Sequence, residues 1–410
     1  MNKFTQLAGS FLLSLITLNV SSQNIDTLDI SMGPGYAQDI FLNVTTGQSI
    51  PTPRNNYDLQ IYTGRWSAGL LSNDGQGVMV WAYPKGDTAT WNAVDTTGLS
   101  TWKALYNGLD SWENGAFNRN AKGHPDYGWG IYNTVTHDVE GDSLFVIKTR
   151  NNLYKKLWIT RKISVENKWL ITVANLDGSN QVNITADCNL YPNKAFLGID
   201  LETASVIDRE PDSANYELLF TKYISNVQGM PYPVVGVLSN ITTPGNKFSP
   251  VAPDFTNWLS SPMVIEKELI GYDWKNFNMS TFTYDLADST FYFIKSGNGD
   301  IYKLWFTKFE GSSTGNIRMA RLKVSATAID DPEISSNINI YPNPATNVVN
   351  IQPDANGILR IYNLNGIEII NKQCTPGETL SLNIENLNKG IYLLRFSTKT
   401  SDKTKKLIIQ

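Results

Sequence analysis

The segment Ser143–Thr160, SLFVIKTRNNLYKKLWIT, decides how the chain is read, because a near copy of it, TFYFIKSGNGDIYKLWFT, returns at Thr290–Thr307. Lys148, Asn151, Lys156, Leu157, Trp158 and Thr160 recur as Lys295, Asn298, Lys303, Leu304, Trp305 and Thr307, each displaced by 147 positions (295 − 148) with no gap. Each copy reads as two strands rich in β-branched and aromatic residues, joined by a short turn at Asn151-Asn152 or Asn298-Gly299. The runs Leu144–Ile147 and Phe291–Ile294 are apolar throughout, so both faces are expected to be covered, as in a central strand. A hairpin repeated in this way implies two related β-rich units.

The repeat extends outward. Asp39–Ile50 (DIFLNVTTGQSI) is matched by Phe196–Ile207 (FLGIDLETASVI), Asn56-Tyr57-Asp58-Leu59 by Asn215-Tyr216-Glu217-Leu218, and Val78–Tyr83 by Val234–Leu238. The displacement is 159 here (215 − 56), so the second unit lacks about twelve residues before its hairpin. The extra length falls in Trp91–Asp126, a Gly- and Asn-rich stretch with Trp91, Trp102, Trp112, Trp129, Tyr106, Tyr127 and Phe117 in or beside it. Such rings either plug the end of a small β-domain or form a ligand surface, since loops on a rigid scaffold carry binding sites and aromatic faces stack flat ligands.

Composition bounds the function. At 410 residues with 41% hydrophobic and 11% aromatic content the chain is long enough for two or three folded domains, with a β bias. Net charge is −4 and no Lys/Arg run appears in the body, which argues against a nucleic-acid partner. Cys188 and Cys374 fall in different expected domains and are read as free thiols. Only His124 and His137 are available for imidazole chemistry. At the N-terminus, Lys3, the apolar run Leu7–Val20 and the small residues Ser21-Ser22 form an expected signal peptide, 1–22, with no cysteine for a lipid anchor and no later stretch long enough to span a bilayer.

Ser325–Asn337 reads as an acidic linker, and from Ile338 the texture changes to short strands separated by Asn, Gly and Pro. Tyr341-Pro342-Asn343-Pro344, Ile361–Gly366 (IYNLNG) and Leu387-Asn388-Lys389-Gly390-Ile391-Tyr392 lie in this tail, with a Lys-rich last strand. The two prolines remove backbone donors and are expected to stiffen the lead into the first strand. On these motifs 338–410 resembles the type A C-terminal sorting domain of type IX secretion cargo in the Bacteroidota. That resemblance implies a small β-sandwich, the type IX machinery as partner, and a secreted or outer-membrane-surface location; Tyr341, Pro342, Asn343, Pro344, Gly366, Lys389 and Gly390 are its motif residues.

The body, Asp39–Val324, is similar to the HmuY-like haem-binding proteins, in tandem. The resemblance rests on the Thr46-Gly47 turn, the Asn-Tyr-Asp-Leu and Asn-Tyr-Glu-Leu strands, and Phe145-Val146-Ile147-Lys148 and Phe293-Ile294-Lys295 leading into Lys-Leu-Trp. The expected architecture is therefore all-β: 23–190 and 191–324 as two HmuY-like units, then the sorting domain. The resemblance implies haem as a cofactor, which in this chain would be held by His124 and His137 and walled by Trp112, Tyr127 or Trp129. His137 aligns with Tyr284 in the second unit, which favours a packing role for it. The alternative is a surface adhesin or glycan-binding protein using the same aromatic loop. Asp138, Glu140, Asp142, Asp285 and Asp288 look only loosely like a calcium loop and read as solvated turn carboxylates. No nucleophile elbow, zinc helix, phosphate-cradling loop or Cys-x-x-Cys pair is present, so the chain reads as a binding protein rather than an enzyme; Asp110, Glu113 and Asp126 in the aromatic loop leave a carboxylate pair for glycoside hydrolysis as a minor alternative, since spacing in sequence does not give their separation.

Overall fold

A computed structural model of the protein describes residues 25–324, 338–353, 355–363, 367–398 and 402–410. The expected signal peptide, the linker 325–337 and Gly366 lie outside the described residues. The chain is all-β, its helices among the described residues being short 3-10 turns, and it divides into two compact units, 1–325 and 326–410.

Three strands open the first unit: β1 (Asp26–Ser31), β2 (Gln38–Leu42) and β3 (Ser49–Pro53). The next run holds β4 (Leu59–Tyr62), β5 (Leu70–Ser72), β6 (Met79–Ala82), β7 (Gly130–Tyr132), β8 (Val139–Gly141), β9 (Phe145–Lys148), β10 (Tyr154–Ile163), β11 (Lys168–Asn175) and β12 (Val182–Asp187). The last run holds β13 (Phe196–Asp200), β14 (Ser205–Ile207), β15 (Leu218–Val227), β16 (Met230–Ser239), β17 (Gly245–Phe248), β18 (Lys275–Asn278), β19 (Thr283–Leu286), β20 (Phe291–Lys295), β21 (Ile301–Phe309) and β22 (Asn316–Lys323).

These strands build two sandwiches of the same design. In the first, the order β12-β11-β10-β9-β6 packs on β14-β13-β4-β5; in the second, β1-β22-β21-β20-β17 packs on β3-β2-β15-β16. The repeated hairpins are β9–β10 and β20–β21, so Trp158 and Trp305 occupy equivalent places. Phe145, Val146 and Ile147, like Phe291–Ile294, are buried; in the second copy Tyr292 and Ile294 enter the sandwich core while Phe291 and Phe293 are covered on the other face by Phe248, Val251 and Phe255. Both turns are wider than two residues: Thr149 and Ser296 N–H groups reach the Leu153 and Asp300 carbonyls, with Asn152 and Gly299 left-handed at φ 65° and 92°. Leu59, Ile61, Leu197 and Ile199 in one core, and Leu42, Leu218, Phe220 and Leu304 in the other, are fully buried, each contributing about 1.5–3 kcal/mol.

The sandwiches exchange strands. β13–β14, which lead the second sequence repeat, complete the first sandwich, and β2–β3, which lead the first repeat, complete the second. β1 takes in the second sandwich the edge place that β12 holds in the first. The division expected at 190/191 therefore does not coincide with the boundary between the two sandwiches, because β13–β14 beyond it still belong to the first. Equivalent carboxylates fasten the exchange: Asp58 accepts from the Arg150 and Leu201 N–H groups, and Glu217 from those of Gly297 and Val44. Asn73 and Asn240 repeat each other too, each donating its amide to two carbonyls of the chain that leads into its sandwich.

Between the sandwiches lies a buried ion group. Asp39 on β2 accepts from Arg209 Nη2 at 2.6 Å, from the Thr221 hydroxyl at 2.6 Å and from Arg54 Nε at 3.2 Å. The Arg209 guanidinium also stands 4.2 Å from the centre of the Tyr57 ring. Nearby, Glu210 accepts from the Tyr216 hydroxyl at 3.0 Å and the Ala195 N–H at 3.2 Å; burial nonetheless pushes its carboxyl up to about 7.

The C-terminal unit is a seven-stranded sandwich. β23 (Ile338–Tyr341), β24 (Val348–Pro353) and β27 (Leu380–Asn383) form one sheet, and β25 (Gly357–Tyr362), β26 (Glu368–Cys374), β28 (Gly390–Ser397) and β29 (Asp402–Ile409) the other. Tyr341-Pro342-Asn343-Pro344 follows the first strand rather than leading into it, because Ile338 is drawn into the core and pairs opposite Pro353. Its Asn343 clamps the last strand, donating to the Lys406 carbonyl at 2.7 Å and accepting from the Ile408 N–H at 2.9 Å. Lys389 is exposed just before Gly390, which opens β28. Cys188 and Cys374 are both buried free thiols.

Two measurements check this account of the junction. Asp39→Asn leaves two buried guanidinium groups without their counter-charge and is expected to lower unfolding stability by about 3–5 kcal/mol in denaturant titration. Glu210 has a folded pKa raised above its unfolded value, so its contribution is present below pH 4.5 and lost as pH rises through about 7. Glu210→Gln should match the native chain at pH 4 and exceed it at pH 8 by on the order of 3 kcal/mol; equal stability at both pH values would refute the assignment.

Candidate functional site

The aromatic loop is held to its scaffold by side-chain amides. The strand β5 is a sheet edge whose N–H groups would otherwise face outward. Asn118 Oδ1 accepts from the Leu70 N–H at 3.0 Å and its amide donates to the Ala68 and Tyr127 carbonyls; Asn107 Oδ1 accepts from Ser72 and Ala116 N–H groups, both at 3.0 Å. Gly115 passes so close to β5 that an added Cβ would come within 1.8 Å of the Leu70 carbonyl oxygen. In the second sandwich the equivalent edge, β16, is covered by backbone instead, through Val237–Gly271 and Ser239–Lys267 bonds.

The loop also grips the second sandwich. Lys267 Nζ donates to the Gly108 carbonyl at 2.8 Å and stands 4.5 Å from the centre of the Trp112 ring, while Trp112 Nε1 donates to the Ser239 carbonyl at 3.1 Å. Burial pushes the Lys267 ammonium down to about 8, partly offset by the negative Asp74; burial likewise pushes the Asp74 carboxyl up to about 6.

Between this pinned loop and the hairpin β15–β16 runs a groove of about 600 Å³. Leu105, Tyr106 and Leu109 supply its apolar surface, and Asn107, Asp110, Arg119, Asn120 and Asn226 its polar groups, with Lys103 at one side. Asp110 accepts from the Asn114 amide at 3.0 Å, whereas Arg119 and Lys103 have no ion-pair partner among the described residues. Met230 and Tyr232 are exposed on β16, one of the two strands that wall the groove.

The residues picked from the sequence divide into two groups. His124, His137 and Tyr127 come together through Tyr132, whose ring centre is 5.1 Å from that of His124 and whose hydroxyl lies 2.6 Å from His137 Nδ1. Tyr127 stands edge-on to His124 at 6.3 Å. Both histidines are exposed. Trp129 is apart from them: it is fully buried, donates Nε1 to the Ala68 carbonyl and lies 5.5 Å from Trp169 in the core, so no face of it is open to a ligand. Trp112 packs on Phe196 at 5.1 Å in the junction. Trp91 and Trp102 pack on Trp158 and Tyr83.

The alignment of His137 with Tyr284 is corrected. Its counterpart is Phe282, since both have left-handed backbone, φ 62° and 56°, and both N–H groups reach the carbonyl of an asparagine four residues earlier, Asn133 or Asn278. Asp138 is not a solvated carboxylate but buried, accepting from Arg161 and from the Ser164 N–H. Tyr106 was named only among the rings of the aromatic loop, and Arg119 and Asn120 were not singled out; the one signal for them was their place in that loop.

These positions do not fit a bis-imidazole haem. Tyr132 stands against both rings and occupies one nitrogen of His137, and neither tryptophan offered as a wall faces them. Among the described residues no group of three or more His, Cys, Asp or Glu is arranged to hold a metal ion, and no helix is long and apolar enough to cross a membrane.

Comparison with known families assigns the tail. Residues 339–410 match the family model of the secretion system C-terminal sorting domain. The chain is thus a cargo of type IX export, a secreted or cell-surface protein. No curated protein matches the chain.

The loop's close approach gives a direct test. Gly115→Ala should force the loop off β5 and lower the melting temperature by an amount equivalent to about 1–3 kcal/mol; an unchanged melting temperature would refute the close approach.

Proposed function

We propose that the exported protein, after removal of residues 1–22, is a carbohydrate-binding protein of the cell surface or its surroundings, and that it binds glycan in the groove between the aromatic loop and the β15–β16 hairpin. The observation that carries this reading is the makeup of the groove: a half-buried tyrosine, Tyr106, and Leu109 beside Asp110, Arg119, Asn120 and Asn226. A sugar ring needs an apolar patch for its C–H face and fixed donors and acceptors for its hydroxyls, and this set supplies both. The pinning of the loop by Asn107, Asn118 and Lys267 supports it further, because a preformed site loses little ordering entropy on binding.

Haem is the second reading; its support is the resemblance to HmuY-like proteins, while the hold of Tyr132 on both histidine rings counts against it. The two separate in one set of measurements on residues 23–410. A glycan array should return hits, and Tyr106→Ala and Arg119→Ala should each weaken the best of them about tenfold, a loss of about 1.4 kcal/mol. Hemin should give no Soret band that depends on His124 or His137. An empty array, or hits untouched by both groove substitutions, would overturn the groove reading; a histidine-dependent Soret band would favour haem.

A further inference from the structure

The two copies of the repeated hairpin carry the same lysine and the same tryptophan and differ in what lies over them. In the first sandwich Lys156 Nζ donates to the Trp91 carbonyl at 2.7 Å and stands 4.8 Å from the centre of the Trp91 indole. That indole lies 6.5 Å from Trp158, whose own N–H is taken by the Gly141 carbonyl at 3.1 Å. The chain fills the place with its own flat ring.

In the second sandwich Lys303 Nζ makes the same bond, to the Pro253 carbonyl, but that position brings no indole. Phe291, standing where the first copy has Leu144, moves under the ammonium at 3.9 Å and meets Trp305 edge-on at 5.8 Å. A cavity of about 350 Å³ remains, lined by half-buried Trp305 and by Asp254, Thr256 and Asp288. The Trp305 N–H, the two carboxylates and the Thr256 hydroxyl make no hydrogen bond or ion pair among the described residues. Its counterpart Trp158 has such a bond, so the free indole donor is a departure from the shared scaffold and is not imposed by it.

We propose that this cavity is a second carbohydrate subsite, selective for uncharged sugars, in which a sugar ring stacks on Trp305 in the place that Trp91 fills in the first sandwich. Asp254 and Asp288 accept from sugar hydroxyls, and the indole N–H donates to an oxygen of the ring or its neighbour. Anionic sugars are disfavoured because two carboxylates line the cavity against a single ammonium, that of Lys303, which is already bonded to the Pro253 carbonyl. The subsite shares no residue with the groove at Tyr106 and stands or falls apart from it.

The test uses residues 23–410 with cellohexaose, mannohexaose and a galacturonate hexamer as probes, read by saturation-transfer NMR and by calorimetric titration. At least one neutral hexaose should bind. Trp305→Ala should weaken it about tenfold or more and Trp305→Phe only about threefold, because phenyl keeps the stacking face. The exposed pair Asp254→Asn/Asp288→Asn, chosen because it spares the core, should weaken the neutral hexaose and remove the preference over galacturonate. Tyr106→Ala combined with Arg119→Ala should leave this binding phase in place. Neutral binding unchanged in Trp305→Ala and in the Asp pair, or no neutral hexaose bound at all, would overturn the proposal; loss only in the Tyr106/Arg119 variant would assign the sugar to the groove alone.

Discussion

The structure depends on an exchange of hairpins within one chain, and the exchange depends on charges placed where water does not reach. Each repeat begins with a hairpin that completes the other repeat's sandwich, so neither half closes its own sheet. A strand added from a distant part of the chain carries the loop-closure cost of bringing it there. What holds it is specific: Asp58 and Glu217 each accept a backbone N–H from the incoming hairpin, and Asp39 on one exchanged hairpin binds Arg209, which follows the other. A buried carboxylate between two guanidinium groups adds little net stability over an apolar core, but removing one partner is costly. That asymmetry favours the native pairing of hairpin and sandwich over any alternative that leaves the charges apart.

The junction also explains why the aromatic loop is rigid. Trp112 and Lys267 come from opposite sandwiches and meet there, and the Gly108 carbonyl accepts a hydrogen bond from the buried ammonium. The loop is thus part of the seam between the sandwiches, with only one side left to form the groove. The tryptophans that make the stretch conspicuous are spent on packing: Trp112 in this seam, Trp129 in the first core, and Trp91 and Trp102 against Trp158 and Tyr83.

Much of the architecture was legible. The gap-free repeat of Lys, Leu and Trp survives because β9–β10 and β20–β21 are central hairpins, where a one-residue slip would turn every side chain to the wrong face. The Asn-Tyr-Asp-Leu and Asn-Tyr-Glu-Leu motifs were visible as well, though not their reason, which is the capture of Leu201 and Val44. The exchange itself was not legible: Asp39–Ile50 and Phe196–Ile207 have matching apolar patterns and could each complete either sandwich, and the decision falls to contacts such as Asp39 with Arg209 that lie 170 residues apart. The site was read less well. A tryptophan rich in neighbours in sequence can point inward, as Trp129 does, and nothing local distinguishes it from Tyr106, which faces the groove. The slip at His137 has a similar origin, because the loop between the hairpins differs by two residues from the displacement that holds inside them.

Comparing the two sandwiches separates what the scaffold requires from what each copy has added. The paired lysine bond to a loop carbonyl, made by Lys156 and Lys303 alike, belongs to the scaffold: it pulls a loop across the outer face of the sheet in both copies. What the loop brings is free to vary, since the lysine binds backbone and is indifferent to the side chain attached to it. In one copy the carbonyl belongs to a tryptophan that covers its neighbour, and in the other to a proline that does not. A ring left uncovered in water forfeits the contact energy that its twin obtains from Trp91. A partly open Trp305 therefore carries a cost in the isolated protein, and a sugar face is a surface that removes it by the same contact that Trp91 supplies internally.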